Sequence, residues 1–139
     1  MQKIIIDTNV LVSSLIQRNF PFYIVDFLIN GNNLQLCISD ELFREYFEVL
    51  NREQFSRFPE FLNNARALLV DIESKATKFN PTIKLNIIKD FNDNKLLELA
   101  EISNADFLIT GNTNDFTMDT YKTTKIVTPK QYWENHVPQ

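Results

Sequence analysis

Asp7, Glu45, Asp90, Asp93 and Asp115 are the side chains whose type and placement in this chain could do chemistry. Each is a carboxylate at the end of an expected element, or on the border of a helix face. Carboxylates that arrive from separate elements can converge on hard divalent cations such as Mg²⁺ and Mn²⁺, which prefer oxygen ligands. A cation held in this way lowers the pKa of a bound water and neutralises charge on a phosphoryl group. Other chemistries have little to build on. There is one histidine, His136, and one cysteine, Cys37, so a His-based triad or a His-rich zinc site lacks material. Cys37 sits inside the apolar run Leu34-Gln-Leu-Cys-Ile38 and reads as a small buried hydrophobe in a reducing compartment. With two glycines in the whole chain, no G-x-G-x-x-G or P-loop is present to cradle a nucleotide. Carboxylates without a catalytic histidine or cysteine suit metal-dependent phosphodiester hydrolysis.

These acids need elements to position them. Ile4 to Ile6 form a β-branched apolar run, as expected of a strand covered on both faces in a parallel sheet. Asp7-Thr8-Asn9 then offers capping side chains before a helix over 10–16. A second helix is expected over 22–30, stopped by Gly31, and a second strand over 34–38. Ser39-Asp40 caps a third helix running to about Leu50. Pro59 suits the first turn of a long amphipathic helix ending near Ser74. A short strand is possible over 77–79, and 81–89 has no clear signal. A helix follows from Asp93, then strands over 106–110 and 125–128, and a last helical turn around Tyr132 and Trp133. Strands that alternate with helices imply an α/β fold with a mainly parallel sheet, in one domain spanning 1–139.

In open α/β sheets, ligands bind beyond the carboxyl ends of the strands. Asp7 ends the first strand, and Asp115 lies in the loop after the strand that closes at Thr110. In the helix Ser39–Leu50, the side chains of Leu42, Phe43, Tyr46, Phe47, Val49 and Leu50 share one apolar face at roughly 100° per residue. Glu45 falls on its border, where a carboxylate can reach around a packed edge into a cleft. Each acid also has a plainer role. Asp7, Asp90 and Asp93 are good N-caps, and Glu45 alone would ordinarily be solvated.

A net charge of −4 argues against binding nucleic acid through overall charge, yet is compatible with an acidic metal site served by local cations. Lys89, Lys95, Lys122 and Lys125 flank the expected cleft in sequence, although a solvated surface role is the ordinary one for any lysine. No apolar stretch approaches the roughly 20 residues of a membrane span, and no secretory leader is evident. A cytoplasmic location is the expectation.

The ordered words Ile5-Ile-Asp-Thr-Asn-Val-Leu-Val12, Ser39-Asp-Glu-Leu-Phe-Arg-Glu-Tyr-Phe-Glu-Val-Leu50, Asp90-Phe-Asn-Asp-Asn-Lys-Leu-Leu-Glu-Leu-Ala100, Asn104-Ala-Asp-Phe-Leu-Ile-Thr-Gly111 and Ile126-Val-Thr-Pro129 together resemble the PIN-domain family of metal-dependent ribonucleases, including VapC-like toxins. The resemblance spans nearly the whole chain and is weakest between Asn51 and Lys89. It implies a three-layer fold, a mainly parallel central sheet flanked by helices with an acidic cleft at the strands' carboxyl ends. Asp7, Glu45 and Asp93 would take the family's catalytic, metal-binding positions. Asn9 would orient Asp7, and Asp90 would be an outer contributor. Thr110 would support the site. Relatives often carry an aspartate directly after the Thr-Gly pair; here that residue is Asn112, so Asp115 or Asn112 would assist as a fourth ligand.

The leading expectation is therefore a Mg²⁺- or Mn²⁺-dependent endoribonuclease acting on an RNA substrate. The resemblance adds a cognate antitoxin protein and a homodimer as partners, with the aromatic-rich stretches 20–27 and 55–61 as candidate surfaces. Asn112 favours an alternative, a catalytically weakened PIN-like module that binds RNA or protein. A phosphotransfer domain with a nucleophilic aspartate fits less well, because such sites want a second aspartate where Asn9 stands.

Overall fold

The structure is a computed structural model and describes residues 1–88 and 93–138. Asp90 and Lys89 lie outside the described residues. The chain runs β1 (Gln2–Ile6), α1 (Thr8–Ile16), α2 (Phe20–Asn30), β2 (Leu34–Ile38), α3 (Asp40–Leu50), α4 (Phe61–Lys75), β3 (Thr77–Lys78), α5 (Asn94–Ser103), β4 (Phe107–Ile109), β5 (Thr120–Tyr121), β6 (Thr124–Val127) and α6 (Pro129–Asn135), with 3₁₀ turns at Glu53–Phe55 and Thr113–Asp115. The strands form one sheet in the order β3-β2-β1-β4-β6-β5, with helices packed against it. All neighbours pair in parallel except β5, which pairs antiparallel with β6. This is the α/β fold with a mainly parallel sheet that the sequence implies.

The isoleucine run explains the centre. Ile4, Ile5 and Ile6 are fully buried, flanked by β2 on one side and β4 on the other. From β1 the chain builds outward to β2 and β3, then returns to β4 and builds the other way. The strand order therefore reverses between β1 and β4, and a crevice forms at the carboxyl ends of strands where that happens.

Local signals set the helix boundaries. Ser39 accepts the Leu42 amide at 3.0 Å and caps α3, and α6 starts on a reciprocal capping box between Thr128 and Gln131. Pro21 lies in the first turn of α2, so that helix starts ahead of Phe22. Pro59 precedes α4 instead of entering it, and Glu60 between them takes a left-handed conformation (φ 63°). On α3, Leu42, Tyr46 and Leu50 are buried but Phe47 is 58% exposed, so the buried face is narrower than the apolar one. Trp133 packs against Tyr23 and Phe27 of α2, not onto the sheet; its neighbour Tyr132 meets Phe107 of β4 edge to face. Cys37 is fully buried, and burial pushes its thiol up to about 11. No described helix is long and apolar enough to cross a membrane.

Helix α5 is buried on most sides, and the polar residues Asn94, Lys95 and Glu98 within it are engaged. Asn94 accepts the amides of Ile87 and Ile88 at 3.0 and 2.9 Å and donates to the Ile88 carbonyl, while Glu98 accepts the Leu85 amide at 2.8 Å. The stretch 85–88, which carries no periodic signal, is thus an irregular strap. Its amides are satisfied by helix side chains where a strand would use a ladder.

Candidate active site

Asp7 is delivered by the sheet. The β1–β4 register pairs Ile6 with Ile109, and the Asp7 amide continues it by donating to the Ile109 carbonyl at 2.9 Å. Thr110 extends β4 in the same way, donating its amide to the Val127 carbonyl at 3.0 Å. Asp7 and Thr110 are therefore neighbours at the switch point. The Thr110 hydroxyl donates to Asp7 Oδ2 at 2.8 Å.

The capping role open to Asp7 is not the one it plays. It occupies the N-cap position of α1 but makes no side-chain cap hydrogen bond. It is only 7% exposed, and its carboxylate is met by side chains instead: Thr110, and the Asn9 amide nitrogen at 3.4 Å. Burial pushes the Asp7 carboxyl above its usual value; the Thr110 hydrogen bond opposes this, and the charge of Glu45 adds to it. Asn9 is itself oriented, since its Oδ1 accepts the Gly111 amide at 3.1 Å. The Asn112 amide donates to the Thr110 hydroxyl oxygen at 3.0 Å. Asn112 thus supports the site through its backbone, a role independent of its side chain, which lies in an exposed residue.

Glu45 is placed by the residue after it. Tyr46 is fully buried, and its hydroxyl donates to the Ile6 carbonyl at the end of β1. That bond pins α3 against the strand that carries Asp7. Glu45 then turns inward at the helix border, where the Thr8 hydroxyl donates to Oε2 and the Lys95 ammonium lies 2.6 Å from Oε1. The two carboxylates are close enough for the charge of Glu45 to disfavour ionisation of Asp7.

The remaining expected residues are less tightly drawn in. Asp93 is the N-cap residue of α5 and makes no side-chain cap hydrogen bond. It stands two positions before Lys95 on the helix end that reaches Glu45. Asp115 is exposed on its 3₁₀ turn, and no hydrogen bond among the described residues ties it to Asp7 or Glu45. Of the described lysines expected at the cleft, only Lys95 is drawn into this centre, with 9% of its side chain exposed. Lys122, paired with Glu101, and Lys125 stand at the amino end of β6, the opposite edge of the sheet.

Tyr46 and Thr8 are participants that sequence patterning misses, and Lys95, expected beside the cleft as a phosphate contact, pairs instead with Glu45. Tyr46 passes as core, and Thr8 as part of a capping run. The burial of Lys95 could have been read from its setting, a cation flanked by residues that all face inward.

The donor set fits a hard divalent cation: oxygen ligands only, each carboxylate held by a hydroxyl, and no sulfur or imidazole in reach. Among the described residues, no three acidic, histidine or cysteine side chains are close enough to hold one ion. The structure brings Asp7 and Glu45 together, and it does not gather Asp93 or Asp115 with them into a group that could hold one ion among the described residues. From this centre a groove of about 350 Å³ runs along α3, lined by Arg44, Glu45, Glu48, Arg52 and Lys95 among others.

Comparison with known proteins bears on the fold and the family. No curated protein matches the chain. The fold is similar to that in a crystal structure of VapBC2 from Rickettsia felis bound to a DNA fragment from their promoter, with a TM-score of 0.58 at 16% identity over 91% of this chain and 98% of that one. A family model described as the PIN domain matches residues 3–114. The chain belongs to the PIN-domain family.

Proposed function

We propose that this protein is a Mg²⁺- or Mn²⁺-dependent endoribonuclease whose metal is held by Asp7, Glu45 and Asp93, with Asp115 or Asn112 assisting and Asp90 further out. The observation that carries this reading is Asp7 itself: a buried carboxylate at the sheet's switch point that declines its capping role and faces a second carboxylate. Such a pair of like charges favours cations; Lys95 already meets Glu45 on one side, and a divalent cation between the two carboxylates would relieve their repulsion. Membership of a family generally associated with nucleases supports hydrolysis as the reaction. The metal, when bound, supplies an activated water and charge neutralisation at phosphorus.

The protein's own residues do the positioning. Thr110 and Asn9 fix the orientation of Asp7, and Thr8 fixes Glu45. Arg44 and Arg52, exposed along the groove beside Glu45, suit contacts to RNA phosphates. We also propose a cognate antitoxin as partner, with a homodimer as the assembly, the resembling structure being a VapBC complex.

Cleavage of end-labelled RNA with Mn²⁺, Mg²⁺ or a chelator, by the wild type and Asp7→Asn, tests the reaction. Metal-dependent cleavage that disappears in the variant is expected. Equal activity in both, or cleavage indifferent to the chelator, refutes the assignment.

A further inference from the structure

Lys95 is an unusual residue to find almost sealed inside the protein. Its side chain is 9% exposed, and its ammonium lies 2.6 Å from Glu45 Oε1. Lysine is rarely buried unless paired, because a desolvated ammonium needs a counter-charge. Here the counter-charge is one of the two carboxylates that face each other, and the ammonium acts electrostatically on Asp7 as well. The other oxygen of Glu45 accepts the Thr8 hydroxyl, so both oxygens are engaged. Lys95 sits in the first turn of α5, two residues beyond Asp93. The first turn of α5 therefore brings a cation to this centre.

From this geometry we propose that Lys95 is a built-in counter-cation of the acidic centre, which competes with the divalent metal for Glu45 and yields that carboxylate when the metal binds. The inference rests on the reading of Glu45 as a metal ligand. A unit positive charge a few ångströms from the metal position opposes a second cation there, and the hydroxyl of Thr8 does not. Metal affinity is then set by an exchange of two cations on one oxygen. Release of a four-carbon stem needs rotamer changes only, so α5 need not move. Lys95 is in this sense a positioning residue that keeps the carboxylates gathered and sets how much metal is needed to fill the site.

Calorimetric titration with Mn²⁺ at fixed ionic strength, on chelator-stripped full-length protein, tests this. Lys95→Met and Lys95→Gln should bind Mn²⁺ about tenfold more tightly than the wild type, or better, a gain of about 1.4 kcal/mol. Lys95→Arg, which keeps the charge, should stay near the wild type. The neutral variants should also melt at lower temperature without Mn²⁺ and gain more from its addition. If they do not fold, the wild type decides by acylation of its lysines, read by mass spectrometry. Lys95 should be protected in the stripped protein and become reactive at saturating Mn²⁺. Neutral variants that bind Mn²⁺ no better than a wild type that does bind it, or Lys95 reactivity unmoved by saturating Mn²⁺, would overturn the proposal. Absence of Mn²⁺ binding in wild type and variants alike would instead overturn the metal reading of the whole centre, and this inference with it.

Discussion

Two aspartates flank the central strand pair at opposite ends, and they behave differently. At the amino end, Asp106 is exposed and accepts the Lys3 amide at 2.8 Å. It satisfies a backbone donor at the start of β1, and its charge remains in water. At the carboxyl end, Asp7 is buried, accepts the side-chain donors of Thr110 and Asn9, and has a like charge nearby. One carboxylate is consumed by the fold. The other is held where burial and a neighbouring carboxylate disfavour its charge, the setting on which the proposed metal site rests. Charge of the same type on the same sheet is thus structural or functional according to which end of the strands it occupies.

The contrast can be broken first at its extremes. Asp7→Asn should reduce metal-dependent RNA cleavage to background, whereas Asp106→Ala should cleave like the wild type. The second variant should instead lose about 0.5–1.5 kcal/mol of stability with its amide contact, read by denaturant unfolding. A loss of cleavage in Asp106→Ala comparable with that in Asp7→Asn would erase the distinction between the two ends.

Thr110→Val removes the donor that orients Asp7 and the acceptor of the Asn112 amide while keeping the shape. Mn²⁺ affinity should fall roughly 10–100-fold, and Thr110→Ser should restore most of it in the same titration. Arg44→Ala should leave metal binding intact and weaken RNA binding, lowering the slope of log affinity against log salt by about 0.7 if one phosphate contact is lost. The smallest effect belongs to the opposite end. Tyr132 donates its hydroxyl to Gln2 on β1, so Tyr132→Phe should cost about 1 kcal/mol in unfolding and nothing in cleavage.

The sequence made the sheet legible because its central strands are buried on both faces and so read as unbroken apolar runs. Asp7 was legible for the same reason, as the charge on which such a run stops. Glu45 was legible by helical geometry, although the driver of its placement, the Tyr46 hydroxyl on the Ile6 carbonyl, is a tertiary bond that no periodicity records. The strap over 85–88 was illegible because its amides bind helix side chains. The two-residue strand β5 is too short to show alternation. Lys95 was half legible: it falls beside the cleft in sequence, but lysine is a surface residue by habit, and its ion pair with a carboxylate 50 positions away is a tertiary contact. The last turn around Tyr132 and Trp133 was legible as helix, but its facing was not: α6 turns Tyr132 onto β4 and Trp133 onto α2.

Crystals grown with Mn²⁺ and measured at the manganese absorption edge address the central claim most directly. An anomalous peak within bonding distance of carboxylate oxygens from Asp7, Glu45 and Asp93 is the expected result. A fully occupied ion bound elsewhere, with Asp7 and Glu45 left uncoordinated, would contradict it.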